Sequence, residues 1–432
     1  MIVKNYIKIL SFAALLFSSA PLSAQTILDD PEDDEEEVDS LFVPIEDEIS
    51  VTDKEGNEEL IEFPAAMTFN LDSLMELYMT KTYLSKGDCE MKDENPTFTP
   101  EEYIERLRRM PTVMEMAYND IVQRFIDRYM GRLRHSVSLM LGASNFYIPI
   151  FEEALEAYQV PLELKYLPVI ESALNPKAVS RVGATGLWQF MLSTGKQYGL
   201  EVNSLVDERR DPVKASYAAA RYLRDLYRVF GDWNLVIAAY NCGPGNINKA
   251  IHRAGGEKDY WRLYPYLPAE TRGYVPAFIA ANYAMTYYCE HNICPMSTRL
   301  PLQTDTVVVD RDVHLQQVAA VLDLDIEMLR SLNPEYRRDI VPGANKKHAI
   351  RLPMADAPRF IDLQDSIYSY RTDELLTKRA IAEVNDDQPT FRSKKSVRRS
   401  RTSARRSRNA RRGKATSKAR RGKATSKKRR RR

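Results

Sequence analysis

The sequence predicts a mainly α-helical protein with a small β-α-α-β unit near its C-terminus and a basic, disordered tail. Apolar residues recur at helical spacing in the middle of the chain, as at Ile121, Phe125, Tyr129 and Leu133. Only 17 of the 432 residues are glycine, which argues against a large all-β architecture with many tight turns. Beyond residue 306, short β-branched runs replace the long amphipathic stretches.

The first 24 residues are typical of an export signal. Lys4 and Lys8 precede an apolar stretch at residues 9–22, and Ala24 completes a small-residue cleavage site. A membrane anchor is the alternative, but this stretch is shorter than the roughly 20 residues that a span needs. We therefore expect an exported protein of the periplasm or cell envelope, associated with the membrane at most peripherally.

The net charge of +2 results from an uneven distribution, since residues 1–391 sum to −20 and residues 392–432 to +22. Residues 29–48 hold 12 acidic and no basic side chains, whereas residues 392–432 hold 22 basic and no acidic ones. We expect the acidic leader at residues 25–66 to be disordered or only lightly structured and the tail to be disordered, because neither carries a sustained apolar pattern. Behind an export signal, the tail fits anionic envelope polymers or lipid head groups better than nucleic acid. The alternative is a solvated tail that only neutralises the acidic leader.

Helical signals begin near Leu71 and continue to residue 288. Thr99 is a candidate N-cap, and Pro100 follows at the first helical position. Another helix opens at Pro161, and Pro168 predicts a kink in it just before Glu171. Further helices are predicted at residues 118–141, 151–158, 212–227, 233–240, 274–288 and 373–383.

The composition argues against metal and cofactor sites. Five histidines and four cysteines without a tight cluster argue against a structural zinc site. The chain has no Gly-rich phosphate loop, so neither a nucleotide nor another cofactor is expected. Cys289 and Cys294 could form a disulfide only if the helix ends between them, and free or buried thiols are the alternative.

Four short segments between residues 171 and 276 carry the candidate chemistry. They are Glu-Ser at 171–172, Gly-Leu-Trp-Gln-Phe at 186–190, Ala-Tyr-Asn-Cys-Gly-Pro-Gly at 239–245 and Glu-Thr-Arg-Gly-Tyr-Val at 270–275. One acid at a helix end, surrounded by amides, hydroxyls and aromatic rings, suits a carbohydrate substrate. A carboxyl in an apolar cleft has a raised pKa and can donate a proton to a glycosidic oxygen. Each segment alone could equally serve packing.

In this order, the four segments resemble the lytic transglycosylases with a goose-type lysozyme-like fold, and most closely the membrane-bound lytic murein transglycosylase D type. The strong resemblance covers residues 162–283. Cys242 departs from the pattern, since the family usually has a small residue there. A lysozyme-like helical catalytic domain is the fold that this resemblance implies.

The resemblance also implies a mechanism. Glu171 would be the sole catalytic acid/base, protonating the oxygen between N-acetylmuramic acid and N-acetylglucosamine and then accepting the proton of the muramic acid 6-hydroxyl. The product would carry a 1,6-anhydro end, without a second carboxylate or a cofactor. Ser172 would orient the acid or contact the peptide-bearing sugar, and Tyr274 would bond to Glu171 and help to set its protonation. The residues implied to line the sugar subsites are Gln189, Tyr240, Asn241 and Trp188.

The β-α-α-β unit resembles a LysM peptidoglycan-binding module. Its predicted strands are residues 307–309 and 349–352, and its predicted helices are residues 315–322 and 326–332. The turn at residues 310–314 departs from the family, where a Gly-Asp-Thr type turn is usual. A glycan-binding module and a degenerate structural copy therefore both remain open.

These observations predict an exported lytic transglycosylase that acts on peptidoglycan strands. A hydrolytic muramidase on the same fold and a non-catalytic peptidoglycan-binding protein are the alternatives. The predicted organisation is a signal peptide (1–24), an acidic leader (25–66), a helical extension (67–158), a catalytic domain (159–298), a LysM-like module (303–354), a linker with a helix (355–390) and a basic tail (391–432).

Overall fold

The computed structural model confirms the mainly helical fold class. It describes residues 49–52, 58–68, 91–92, 94–298, 300–301, 303–377, 380–382 and 384. The predicted signal peptide, the basic tail and the first helical signals after Leu71 lie outside these residues. The helices before residue 298 are α1 (Pro100–Arg109), α2 (Asp120–Met130), α3 (Arg134–Ala157), α4 (Leu167–Ser172), α5 (Leu192–Gln197), α6 (Pro212–Phe230), α7 (Trp233–Cys242), α8 (Pro244–Arg253), α9 (Tyr260–Leu263) and α10 (Ala269–Tyr287).

Part of the acidic leader is folded. Strands β1 (Ile49–Thr52) and β2 (Glu58–Ile61) pair antiparallel, and a 3₁₀ turn follows at Ala65–Thr68. Ile61 and Met67 are buried in the main core. The acidic composition around Ile61 hid this apolar contact. Of the two states expected for the leader, its described residues have the lightly structured one, with one short hairpin and the start of a turn.

The helices that precede α4 follow local signals at their starts but not at their ends. Thr99 and Glu102 form the capping box that opens α1. The helix predicted at 118–141 is instead divided into α2 and α3 at Gly131, where a Cβ would lie 2.8 Å from the carbonyl oxygen of Asp127. The chain then stays helical through Pro149 to Ala157, so the separate helix predicted at 151–158 is the end of α3.

Pro168 starts a helix rather than kinking one. Residues Leu162–Tyr166 form a 3₁₀ turn, and α4 begins at Leu167 with Pro168 in its first turn. The missing N–H of a proline has no cost at this position, because first-turn N–H groups have no partner within the helix.

The long helices α6, α7 and α10 form the centre of the main core, and their predictions are confirmed. Helix α10 is buried along most of its length and packs against α2, α4 and α7. Residue Gly273 of α10 lies against the segment after β2, where a Cβ would be 2.6 Å from the carbonyl oxygen of Glu62.

The C-terminal unit contains the predicted strands and helices, together with elements that the sequence did not predict. The predicted elements are β3 (Thr304–Val309), α11 (Leu315–Leu322), α12 (Ile326–Leu332) and β6 (His348–Pro353); the further ones are β4 (Asp312–His314), β5 (Ile340–Pro342), α13 (Asp356–Asp362) and α14 (Gln364–Ser369). Helix α15 (Thr372–Leu375) lies at the start of the helix predicted at 373–383. Strand β3 pairs with β6, and β4 pairs with β5. Of the helix predicted at 373–383, the described residues are helical only to Leu375.

The helical domain and the C-terminal unit share their cores. Leu205 and Val206 are fully buried in the core of the C-terminal unit, and Leu332 of α12 is buried in the main core. Val206 forms an antiparallel bridge with Tyr336, and the N–H of Arg337 donates to the carbonyl oxygen of Leu205 at 2.7 Å. The C-terminal unit is therefore joined to the helical domain by main-chain hydrogen bonds as well as by packing.

The cysteines differ from the pairing considered from the sequence. The helix does end before Cys289, but Cys289 is exposed and free, and Cys242 is also free. Cys294 is disulfide-bonded. Within the described part of the chain, no helix is both long and apolar enough to cross a membrane.

Candidate active site

Glu171 lies on the last turn of α4, which is short and buried. Ala173 and Leu174 follow it with φ values of 50° and 62°, and their N–H groups donate back to the carbonyl oxygens of Val169 and Pro168. A left-handed conformation costs roughly 1–2 kcal/mol for a residue with a Cβ. Because both residues are buried, packing holds the chain in this conformation and ends the helix directly after the acid.

Ser172 ties the end of α4 to the next segment. Its side chain is fully buried, and its Oγ donates to the carbonyl oxygens of Pro168 at 3.1 Å and Leu187 at 2.9 Å. Both bonds go to the main chain. This placement favours the orienting role over contact with a sugar.

Tyr274 donates a hydrogen bond from its Oη to Oε1 of Glu171, as the resemblance implied. Burial raises the pKa of the Tyr274 phenol well above its ordinary value, and the neighbouring Glu171 adds to the rise, so the phenol stays protonated. Because Oε1 accepts this bond, the proton of a neutral Glu171 is carried on Oε2.

The environment of Glu171 favours its neutral form. Burial raises the pKa of Glu171 to about 8, the hydrogen bond from Tyr274 opposes the rise, and the nearby charge of Glu270 adds to it. A pKa above 7 means that the carboxyl is mainly protonated at neutral pH. Part of the side chain remains accessible. Glu171 can therefore act as a proton donor near neutral pH.

The turn at residues 183–190 packs tightly behind the acid. Gly186 has a φ of 88°, and a Cβ there would stand 1.9 Å from the carbonyl oxygen of Arg209, so only glycine fits. The Nε2 of Gln189 donates to the carbonyl oxygens of Gly186 at 2.8 Å and Ala178 at 3.3 Å. Gln189 is half-buried, which leaves its Oε1 as the group that a ligand could approach.

Trp188 requires a correction. Its ring is fully buried, its Nε1 donates to Oγ of Ser216 at 2.9 Å, and Phe151 packs edge-on against it at 5.2 Å between ring centroids. A ring without exposed surface offers no face to a sugar. Trp188 is a core residue that supports the site from behind, which was the alternative for this segment.

Tyr240 and Asn241 lie near the end of α7 and remain partly exposed. The Oη of Tyr240 donates to the carbonyl oxygen of Trp188 at 2.7 Å. Burial raises the pKa of Tyr240, and the charge of Glu171 adds to the rise. The Oδ1 of Asn241 accepts from Oγ1 of Thr271 at 2.9 Å, so its amide group is free to donate. Both residues therefore present polar atoms on the same side of the fold as Glu171.

Two residues of the Glu-Thr run were given no role from the sequence. Thr271 is fully buried and orients Asn241, whereas Glu270 is exposed and carries the charge that acts on Glu171. The sequence signal that could have identified them is their position in the segment at residues 270–275. Near the same region, burial raises the pKa of the Cys242 thiol, which disfavours the reactive thiolate.

Comparison with protein families gives one match in the helical domain and one in the C-terminal unit. Residues 149–262 match the family described as the transglycosylase SLT domain, and residues 303–369 match the family described as the LysM-like domain of lytic transglycosylase MltD. The helical domain therefore contains a match to the SLT transglycosylase domain, and the C-terminal unit matches the MltD-type LysM-like domain, in agreement with the sequence resemblance.

Curated relatives share these regions. Membrane-bound lytic murein transglycosylase D of Escherichia coli K12 is 30% identical over 260 residues, which are 59% of this chain and 56% of the relative. The soluble lytic murein transglycosylase of E. coli K12 is 34% identical over 124 residues, which are 27% of this chain and 19% of the relative. The chain thus aligns with about half the length of the first relative.

A solved structure also aligns with this chain. The 70 kDa soluble lytic transglycosylase SLT70 of E. coli aligns at a TM-score of 0.30 and 30% identity. The alignment covers 35% of this chain and 26% of that one.

Proposed function

We propose that this chain is a peptidoglycan lytic transglycosylase that cleaves the β-1,4 bond between N-acetylmuramic acid and N-acetylglucosamine and leaves a 1,6-anhydro end. The observation that carries the proposal is Glu171, a half-buried acid with a raised pKa that lies within the residues matched to the SLT domain and accepts a hydrogen bond from Tyr274. The relatives whose names include murein transglycosylase support peptidoglycan as the substrate.

The first step needs a neutral acid beside the scissile bond. With a pKa of about 8, Glu171 enters the reaction protonated at neutral pH. It donates this proton to the glycosidic oxygen, so the leaving N-acetylglucosamine departs with a hydroxyl group. The bond from Tyr274 fixes one carboxyl oxygen and leaves the other to deliver the proton.

The second step uses the carboxylate that the first step produces. Glu171 accepts the proton of the muramic acid 6-hydroxyl while this oxygen attacks the anomeric carbon. One C–O bond breaks and one forms, the proton returns to Glu171, and no water is consumed. The hydrogen bond from Tyr274 stabilises the carboxylate between the two steps. A single acid is therefore sufficient, unlike in glycosidases that use two carboxylates.

The other polar residues would bind the sugars. Gln189, Tyr240 and Asn241 present an amide oxygen, a phenol and an amide group, which suit hydroxyl and acetamido groups of the glycan. Ser172 would hold the end of α4 in place. No cofactor or metal enters this mechanism.

Digestion of purified sacculi tests the proposal. The products of the full chain are separated and weighed by mass spectrometry, and we expect muropeptides with anhydro-muramic ends. Reducing ends alone would instead identify a hydrolytic muramidase. Glu171→Gln should lower the rate at least about a hundredfold. Glu156→Gln, an exposed substitution of the same kind on α3, serves as the control. A wild-type chain that binds sacculi without cleaving them would indicate a non-catalytic binding protein.

We infer that the LysM-like module has a structural role. Its turn at residues 310–314 is occupied by internal contacts: Oδ1 of Asp312 accepts from the N–H of Ala344 at 3.0 Å, and His314 caps α11. Arg311 lies over the ring of Tyr368 at 3.8 Å. These contacts support the structural alternative for the module rather than an open glycan groove at this turn.

The location and the role of the tail are part of the same proposal. An export signal and relatives named as membrane-bound support a place in the cell envelope. There the 22 basic residues of the tail would hold an otherwise acidic protein near anionic envelope polymers or lipid head groups. Nucleic acid is not expected as a partner.

A further inference from the structure

Lys177 and Arg210 are two half-buried cations without a carboxylate partner. Lys177 follows α4, in the segment that leads to the turn at 183–190, and Arg210 precedes α6. In the part of the chain that the structure describes, neither side chain makes an ion pair or a side-chain hydrogen bond. Long cationic side chains are seldom buried unless they are paired.

The two cations belong to the same wall of the fold. The carbonyl oxygen of Ala178, next to Lys177, accepts from the N–H of Gly186 at 2.9 Å. Gly186 in turn lies directly against Arg210, because a Cβ on Gly186 would stand 3.3 Å from the Cα of Arg210. This wall continues to Gln189, which also bonds to Ala178.

The carboxylates nearest to this wall are already neutralised. Asp339 of the LysM-like module is bound to Arg330, with Nη2 and Oδ2 2.6 Å apart, and the same guanidinium pairs with Glu327. Asp207 is fully buried and bound to Arg209 at 2.9 Å and to Arg337 of the module at 2.8 Å, so three guanidinium groups balance these three carboxylates. The positive charge that remains at the junction between the two domains is that of the two unpaired cations.

Burial makes this arrangement unfavourable for the empty protein. It lowers the pKa of Lys177 and the pKa of Arg210, because a low dielectric disfavours their charged forms. An anionic ligand would supply the missing charge and hydrogen bonds, and a guanidinium presents the paired N–H groups that a carboxylate accepts.

We propose that Lys177 and Arg210 bind the free carboxylate of a peptide branch carried by the glycan strand. The proposal rests on the proposed function, since it adds a binding site for the peptide to the cleft that would hold the sugars. The position supports a ligand that extends from the cleft, because both cations lie on the wall that carries Gln189.

The test is a binding experiment in which no cleavage takes place. The full chain with Glu171→Gln is titrated with a disaccharide-peptide fragment of peptidoglycan that ends in a free carboxylate, and with the same fragment ending in a carboxamide. We expect the carboxylate fragment to bind about tenfold more tightly, as one charge-assisted contact provides. Adding Lys177→Gln should remove this preference, and Arg210→Gln should reduce it.

Lys249→Gln is the matched control, because Lys249 is an exposed lysine on α8, outside this wall. It should keep the tenfold preference. Equal binding of the two fragments by the parent protein, or an undiminished preference in the Lys177→Gln protein, would overturn the proposal. Failure of the proposed function gives a different result: neither fragment binds, and the wild-type chain does not cleave sacculi.

Thermal unfolding separates a ligand site from a structural one. Removal of an unpaired, half-buried charge should leave the melting temperature of the Lys177→Gln protein equal to or above that of its parent. A clear fall would show that Lys177 stabilises the fold and would contradict a role in binding. With saturating carboxylate fragment, the parent should gain more in melting temperature than the Lys177→Gln protein.

Discussion

The raised pKa of Glu171 should make the stability of the protein depend on pH in a way that one substitution removes. In Glu171→Gln, the amide keeps the shape of the side chain and can still accept the hydrogen bond from Tyr274, but it has no charge to bury. In the wild type, folding above the ordinary pKa of 4.5 requires either uptake of a proton or burial of a carboxylate. Both reduce the free energy of unfolding relative to the variant.

The size of the effect follows from the two pKa values. Between about pH 5 and 8 the folded wild type binds a proton that the unfolded chain has lost, so its stability decreases as the pH rises. The slope is about 1.4 kcal/mol per pH unit relative to Glu171→Gln, and the difference stops growing above the folded pKa of about 8. The total over this range is about 4 kcal/mol, which is an upper bound because part of the side chain is solvated.

Urea unfolding at pH values from 5 to 9 measures this difference directly. The difference between Glu171→Gln and the wild type should increase up to about pH 8 and then remain constant. Glu156→Gln, the exposed substitution of the same kind on α3, is measured in parallel as the control. A pH-independent difference for Glu171→Gln would refute the assignment of a raised pKa to this acid.

Three further outcomes test other parts of the structure. Tyr274→Phe removes the hydrogen bond that opposes the rise in the pKa of Glu171, so the alkaline limb of kcat/KM should move up by about one pH unit while kcat falls; an unchanged limb would contradict the contact. Trp188→Phe should lower the free energy of unfolding by about 1–3 kcal/mol through the lost bond to Ser216 and lost packing, without a change in KM; a raised KM would restore Trp188 to the sugar site. Deletion of residues 392–432 should weaken co-sedimentation with sacculi at low salt and abolish most of its salt dependence; equal binding would remove the tail as a tether.

The parts of the fold that the sequence predicted correctly depend on local signals. The capping residue Thr99 and the amphipathic pattern of α6 are complete within a few turns of chain. The break at Gly131 is also local, but it was missed because the apolar spacing continues through it. The hairpin that ends at Ile61 and the turn that contains Met67 were missed because they follow an acidic stretch. Their buried side chains belong to the main core, and the two elements pack against α10 and α4, which are far away in the sequence.

The candidate active site also depends on contacts between residues that are distant in the sequence. Glu171 and Tyr274 could be paired from the sequence only through the family resemblance, because 103 residues separate them. Trp188 was assigned to the sugar subsites because aromatic faces stack on sugar rings. The residues that bury it, Phe151 and Ser216, come from α3 and α6, and composition gives no indication that they meet. The unpaired state of Lys177 and Arg210 likewise depends on which carboxylates the fold places with other partners.

The bridge between Val206 and Tyr336 limits where the chain can be truncated without exposing its core. A chain shortened to end before residue 303 would present Leu205 and Val206 to water, and it would leave Asp207 without the guanidinium of Arg337. Exposed apolar side chains of this kind promote aggregation. The smallest soluble fragment with an intact site should therefore extend through the C-terminal unit, although the SLT family match ends at residue 262. The part of the chain that folds as a unit is therefore longer than the residues that match the SLT domain.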